Sequence, residues 1–243
     1  MGFLEMKRNA LLNDFIWHAG VEAIAAYQFK GASSRAKAAK DLTGHEYNLK
    51  SSVSGRRYSK TYAKTTWDTT KGFGFLPISY MENADLNARK DIKTIIIRYS
   101  NYLYPTVLSM TSVTVANPII YLGMAKTSTY GFDDGNHIFV VKNYTLREYI
   151  ENHFTWTLNY LESKATVPSD AVVAYSTDGS LYINGALQQT TAYQANVDLD
   201  FWGVQAGTLI GTNGPFYIQA AAFYSTVLDA STIADYSNQM AEI

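Results

Sequence analysis

Asp198-Leu199-Asp200 is the acid pair whose spacing suits general acid–base chemistry on a strand. Side chains two residues apart on a strand share a face, and cleavage of a glycosidic bond needs two carboxyl groups flanking it. Glu148 and Glu151 are three apart and fall on opposite faces of a strand. The plain alternative for Asp198 and Asp200 is solvation of a strand edge, and no catalytic residue is assigned. The four histidines, at 18, 45, 137 and 153, are widely separated. His45-Glu46 opens like a zinc-protease helix, but Leu49 stands where the second histidine is needed. Gly72-Phe73-Gly74 stops short of a phosphate-cradling loop, and no Gly-x-Ser-x-Gly elbow is present. The chain has no cysteine, which excludes disulfides, thiolate metal sites and cysteine nucleophiles.

Binding chemistry is better represented. Tyr130-Gly131-Phe132-Asp133-Asp134-Gly135-Asn136-His137 combines aromatic rings, which stack on sugar faces, with carboxylate and amide oxygens that hold hydroxyls. Tyr130, Phe132, Asp133, Asp134 and Asn136 are therefore carbohydrate-binding candidates. Trp67, in Thr65-Thr66-Trp67-Asp68-Thr69-Thr70, is the sixth. The same oxygens suit calcium, which usually wants six or more of them, but the loop lacks the order of an EF-hand. No cofactor or metal is expected. The competing readings are a polar loop closed by an Asp-Gly turn, and an indole sealing a sheet edge. Asn143-Tyr144-Thr145 is an acceptor sequon only in a secretory pathway.

These groups must be positioned by a chain of 243 residues with 47% hydrophobic and 17% charged residues and a net charge of −1. Such a chain can bury a full core, and its charge balance gives no bulk attraction to nucleic acid or to an anionic membrane. Residues 1–71 carry twelve Lys and Arg against six acids, whereas the remainder carries eight against fifteen. Unlike charges either cancel within one fold or meet between neighbouring copies, and the second reading favours self-association. No apolar run approaches the roughly 20 residues of a membrane span, and no secretory signal is recognised at the N-terminus.

Residues 1–20 read as an N-terminal arm, helical over 3–19, with Leu4, Leu11, Leu12, Phe15 and Ile16 at spacings that include three and four. Leu11, Leu12, Phe15, Ile16 and Trp17 need cover, so they are assembly-contact candidates. Packing on their own domain is the equal alternative. From residue 21 onward, short strands dominate. They are expected at Ala25–Phe29, His45–Leu49, Gly72–Leu76, Lys93–Tyr99, Val107–Val115, Ile119–Met124, His137–Val141 and Phe154–Tyr160. In the strand at 93–99, Ile95, Ile97 and Tyr99 share one face while the other changes from Ile96 to Arg98, so its reverse side grows wetter toward the end. Ala171–Ser176, Ser180–Ile183 and Ala186–Thr190 form a meander through Asp178-Gly179 and Asn184-Gly185, both suited to the positive φ of hairpin turns. Leu199–Val204, Thr208–Gly211 and Phe216–Tyr224 follow. Ile233, Tyr236 and Met240 then mark a C-terminal helix capped by Asp229 or Ser231.

Ala171–Tyr175 followed by Ser180-Leu181-Tyr182-Ile183-Asn184-Gly185-Ala186-Leu187 resembles the central hairpin of laminin-G-like, concanavalin-A-like domains. Ala26-Tyr27-Gln28-Phe29 with Asp41-Leu42-Thr43-Gly44 resembles that family's opening, and Ala222–Ile233 its closing segment. The three matches occur in family order and bracket nearly the whole chain. They imply an all-β fold, an antiparallel two-sheet β-sandwich of jelly-roll type over residues 21–243, with a short arm before it and a short C-terminal helix. Val167-Pro168-Ser169-Asp170 and Phe216-Tyr217 depart from the family's usual Trp and Gly, so no ligand site is carried over.

With the short arm and the absence of cysteine, the resemblance extends to structural proteins of tailed bacteriophages. It implies a non-enzymatic virion component (capsid decoration, head fibre or tail surface), assembled in the host cytoplasm. Its expected partners are other virion proteins or further copies of itself, together with host-surface glycan, and not nucleic acid. A free carbohydrate-binding module and a glycan-cleaving enzyme are the alternatives.

Overall fold

The computed structural model describes residues 17–18, 23–53, 66–75, 79–83, 85–86, 89, 91–100, 108–109, 121–126, 136–150, 153–163, 168, 170–198, 210–212 and 216–243. They form an antiparallel β-sandwich closed by a C-terminal helix.

The strands are β1 (Ala23–Gln28), β2 (Lys50–Val53), β3 (Thr66–Asp68), β4 (Gly72–Phe75), β5 (Ser79–Glu82), β6 (Thr94–Ser100), β7 (Leu108–Ser109) and β8 (Tyr121–Lys126). They continue with β9 (Asn136–Ile150), β10 (His153–Ser163), β11 (Ala171–Ser176), β12 (Leu181–Ile183), β13 (Ala186–Leu187), β14 (Thr190–Asp198), β15 (Ile210–Thr212) and β16 (Phe216–Tyr224). A four-residue helix α1 (Arg35–Ala38) follows β1, and α2 (Ala230–Ala241) ends the chain.

The main sheet runs β13-β12-β11-β6-β16-β4-β3, with β1 also paired to β16. β16 holds β6 along one edge. Its other edge is shared end to end, with β4 taking Phe216–Ile218 and β1 taking Ala220–Tyr224. Two four-stranded sheets, β14-β10-β9-β8 and β2-β5-β15-β7, complete the pairing.

Both faces of the main sheet are buried. On one, Ile24, Tyr27, Phe29, Phe73, Ile95, Ile97, Tyr99, Val173, Leu181 and Phe223 form an apolar cluster completed by Ala38, Leu49, Leu86 and Ile92. On the other, Ala26, Ile96, Val172, Ala174, Ala220, Ala222 and Tyr224 meet Ile233, Tyr236 and Met240 of α2. Small side chains on β16 let the helix lie close. As the alternation over 93–99 predicts, β6 is buried on both sides until Arg98, which is half-exposed. Its guanidinium donates to the Met240 carbonyl at the end of α2.

The meander has its expected turns. Gly179 has φ +99°, and Asn184 and Gly185 have φ +49° and +76°. A Cβ on Gly185 would stand 2.9 Å from the Ala234 Cα, so the turn tip is moulded to the helix. Asp229 is the N-cap of α2 and accepts from the Thr232 amide at 2.8 Å. The sheet ends on β13, two exposed residues that include Leu187.

Three expectations change. His45–Leu49 is not a strand: the segment is clipped around the buried carboxylate of Asp41, and pairing starts at Lys50. That carboxylate accepts from the Ala26 amide at 3.1 Å, the Thr43 amide at 3.1 Å and the Tyr47 amide at 3.3 Å, and from the Thr43 hydroxyl. The apparent Tyr47/Leu49 alternation arises because the Tyr47 carbonyl receives the Tyr27 hydroxyl at 2.6 Å while Leu49 enters the core. The strand expected at His137–Val141 extends over fifteen residues and pairs with β10 through two register shifts. Of Val107–Val115 only Leu108–Ser109 are described, and they form β7, while Leu199–Val204 lies outside the described residues.

The third change concerns Trp17. It is 2% exposed and packs into the cluster beneath α2. Its amide donates to Gln239 Oε1 at 2.9 Å and its carbonyl accepts the Tyr224 hydroxyl at 2.5 Å. It is therefore a core residue of the domain and offers no indole surface to a neighbour, which corrects its reading as an assembly contact. The other four candidates, Leu11, Leu12, Phe15 and Ile16, lie outside the described residues.

Trp17→Ala is expected to destabilise the domain by about 3–5 kcal/mol, as large aromatic-to-Ala core changes do, read as a fall in denaturation midpoint. Asp41→Ala removes the acceptor for three buried or half-buried amides and is expected to cost about 1–3 kcal/mol. Helix capping also has a pH signature. The Ser231 hydroxyl, then the Thr232 amide, hold the Asp229 carboxyl below its usual 3.8. Its contribution is therefore complete above 3.8 and disappears as pH falls through the lower folded value. Acid melting curves of Asp229→Ala should converge on those of the parent below that range.

Candidate functional site

The six carbohydrate-binding candidates are not brought together by any described contact. Tyr130, Phe132, Asp133 and Asp134 lie outside the described residues, and Asn136 is the first residue of β9, paired with Lys126. Trp67 sits in β3 with its ring half-buried against the core, and its Nε1–H donates to the Phe29 carbonyl at 2.9 Å. It seals the sheet edge, the alternative reading of its sequence context. Asp198 ends β14, and Asp200 lies outside the described residues. Among the described residues no group of three His, Asp or Glu is placed to hold a metal ion, and no helix is long and apolar enough to cross a membrane.

A polar surface is assembled elsewhere, on the α2 face of the main sheet beyond the helix end. It originates in one extra residue. Ile218 pairs with Tyr99 and Ala220 with Arg98, so Gln219 has no partner in the β6 ladder and forms a bulge. The bulge aims Gln219 at Ser100, to which its Nε2 donates at 2.9 Å. The Gln219 carbonyl meanwhile accepts the Phe29 and Lys30 amides at 2.8 and 3.1 Å. Gln219 is 5% exposed, and its Oε1 accepts no hydrogen bond from any described residue.

Beside it, Tyr217 pairs with Gly74 of β4 and with Ser100. A Cβ at Gly74 would come within 2.9 Å of Tyr217 Cε1 and 2.6 Å of Thr66 Oγ1, so glycine is what leaves room for the phenol ring beside β4. Lys71 Nζ stands 5.6 Å from the ring centroid. Gly72, with φ +94°, makes the tight turn that brings Lys71 there; a Cβ would strike the Ile218 carbonyl at 2.3 Å. The Asp68 carboxylate secures the same turn by accepting from the Thr70 hydroxyl at 2.6 Å and the Thr70 and Lys71 amides at 2.8 and 3.0 Å. These bonds, the Thr70 hydroxyl first, hold its carboxyl below the usual range.

Lys30, Arg98 and Asp170 border the surface electrostatically. Partial burial and then the Arg98 charge depress the Lys30 amine, while Asp170 acts the other way. Burial likewise depresses Arg98, again opposed by Asp170. The arrangement offers a half-buried ring, an amide, a hydroxyl and three cations, with the Asp170 carboxylate beside two of them. Chemically this is a binding surface for a hydroxylated ligand. No sequence motif announces it, because its residues come from five separate segments; the nearest signal is the aromatic pair Phe216-Tyr217.

No protein-family model matches the chain, and no curated protein sequence matches it. Among solved structures, it is similar to domain 4 of AbnA, an extracellular GH43 arabinanase from Geobacillus stearothermophilus solved with arabinotriose. The TM-score is 0.52 at 15% identity, over 89% of this chain and 100% of that one. The binding domain of botulinum neurotoxin DC in complex with SialylT gives 0.40 at 12% identity, over 90% of this chain and 52% of that one. A Trypanosoma rangeli sialidase mutant displaying trans-sialidase activity gives 0.44 at 10%, over 91% and 33%. The arabinanase domain fixes the fold as a β-sandwich of this type.

Gly74→Ala is expected to displace the Tyr217 ring and Gly72→Ala to destabilise the domain by more than about 1 kcal/mol. Thermal melts combined with Tyr217 ring resonances separate the two effects: Gly74→Ala shifts the ring signals, whereas Gly72→Ala chiefly lowers the midpoint.

Proposed function

We propose that this chain is a non-catalytic carbohydrate-binding β-sandwich displayed on a bacteriophage virion, as a capsid decoration, head-fibre or tail surface component that contacts host glycan. The observation that carries the binding half is the sheet surface around Tyr217, where an aromatic ring lies among amide, hydroxyl and ammonium groups on a scaffold that needs no rearrangement. Sugars are recognised by this combination, because their C–H faces stack on aromatic rings while their hydroxyls are matched by polar groups. The likeness, over 89% of this chain, to an arabinanase domain solved with arabinotriose supports the same reading. The virion half rests on the family resemblance of the central hairpin, opening and closing segments, and on the apolar positions Leu11, Leu12, Phe15 and Ile16 as an assembly contact with other virion proteins or further copies.

Two experiments test the halves separately. On an array of bacterial surface glycans the full chain should show saturable binding; an absence of binding to every glycan would end the carbohydrate reading. Deletion of residues 1–15 retains the buried Trp17. It should abolish incorporation into phage particles without lowering the denaturation midpoint, and normal incorporation of the shortened chain would overturn the assembly role.

A further inference from the structure

Resting on the carbohydrate reading, we infer that the surface formed by Tyr217, Gln219, Ser100, Lys30 and Arg98 selects acidic saccharides, with the sugar's carboxylate or sulfate set between Lys30 and Arg98 and its ring against Tyr217.

Hydrogen-bonding capacity argues for a hydroxylated ligand. Gln219 Oε1 is one of two buried side-chain acceptors among the described residues that receive nothing, the other being the Ser237 hydroxyl. A buried unmatched acceptor is costly, and a ligand hydroxyl donating to Oε1 satisfies it while Nε2 stays on Ser100. Ser100, half-exposed, accepts from Gln219 Nε2 and retains its own O–H to donate. A pair of vicinal hydroxyls supplies both the donor for Oε1 and the acceptor for Ser100.

Charge argues for acidity. Arg98 of β6 pairs with Ala220, which pairs in turn with Gln28 of β1, two residues before Lys30, whose amide donates to the Gln219 carbonyl. Both cations are half-exposed, and Arg98 acts against the charge on Lys30. Asp170 offsets this only in part, and Lys71 adds a third cation over the Tyr217 ring. The chain as a whole is net −1, so this concentration of positive charge is local and does not follow from composition. An anionic group placed there relieves the repulsion and gains charge-assisted hydrogen bonds. Arg98 has less freedom than Lys30, since its guanidinium already donates to the Met240 carbonyl, and so presents its remaining donors in a fixed direction.

The test uses the full chain on an array carrying uronate, sialic acid, sulfated and neutral glycans, followed by calorimetric titration of the strongest ligand. The strongest ligand should be acidic. Lys30→Gln should weaken it roughly tenfold, as loss of one charge-assisted bond does, and Lys30→Arg should restore most of that. Tyr217→Ala should abolish binding, Tyr217→Phe should not, and raising ionic strength should weaken the complex. All four variants alter half-exposed side chains, and matched thermal midpoints establish that they fold. A neutral strongest ligand, or an acidic one bound equally by Lys30→Gln and Tyr217→Ala, overturns this inference while leaving the carbohydrate reading in place. Binding to no glycan at all overturns both.

Discussion

The double pairing of β16 is the constraint on which the described structure depends. One edge is fully committed to β6 and the other is divided between β1 and β4, so the first and last parts of the domain are held in a single sheet by one nine-residue strand. Pairing along both edges gives its backbone groups hydrogen-bond partners, and even the bulged Gln219 carbonyl is taken up by the Phe29 and Lys30 amides, which is what allows the strand to be buried. Ala220, Ala221 and Ala222 then set the distances: with so little side chain, α2 approaches on one side and Phe29, Tyr27 and Phe223 fill the other.

One residue more than the ladder needs changes the character of the strand. Before Gln219, β16 contributes Tyr217 to a polar surface. After it, Ala220, Ala222 and Tyr224 lie beneath the helix. The bulge thereby divides a single sheet face into a dry half and a wet half, and Arg98 marks the boundary by reaching from β6 to the last turn of α2. A site built this way inherits the rigidity of the core, which lowers the ordering cost of binding.

Where local chemistry alone decides conformation, the fold was readable from the chain. The meander over Ala171–Leu187 follows from Asp178-Gly179 and Asn184-Gly185, and α2 from its apolar spacing and Asp229 cap. Alternation in 93–99 announced both the inner strand and its wetter end. Pattern misleads where tertiary partners override it. Tyr47 and Leu49 alternate as strand residues do, but Asp41 holds their segment as a loop. Polar residues such as Asn143, Arg147 and Glu148 conceal the length of β9. Trp17 reads equally as exposed anchor or core, and only its bonds to Gln239 and Tyr224 decide between them. The candidate site was illegible for a related reason: Lys30, Gly74, Arg98 and Gln219 become neighbours through β16, whereas aromatic and acidic residues in one loop are conspicuous in sequence.

The far margin of the main sheet has its own consequence. β13 is only two residues long, with Ala186 and Leu187 both open to solvent. A margin so brief presents too few free amides and carbonyls to template another strand. At that margin a neighbouring chain therefore finds no rail on which to add a strand, even though an unguarded leucine sits at the rim.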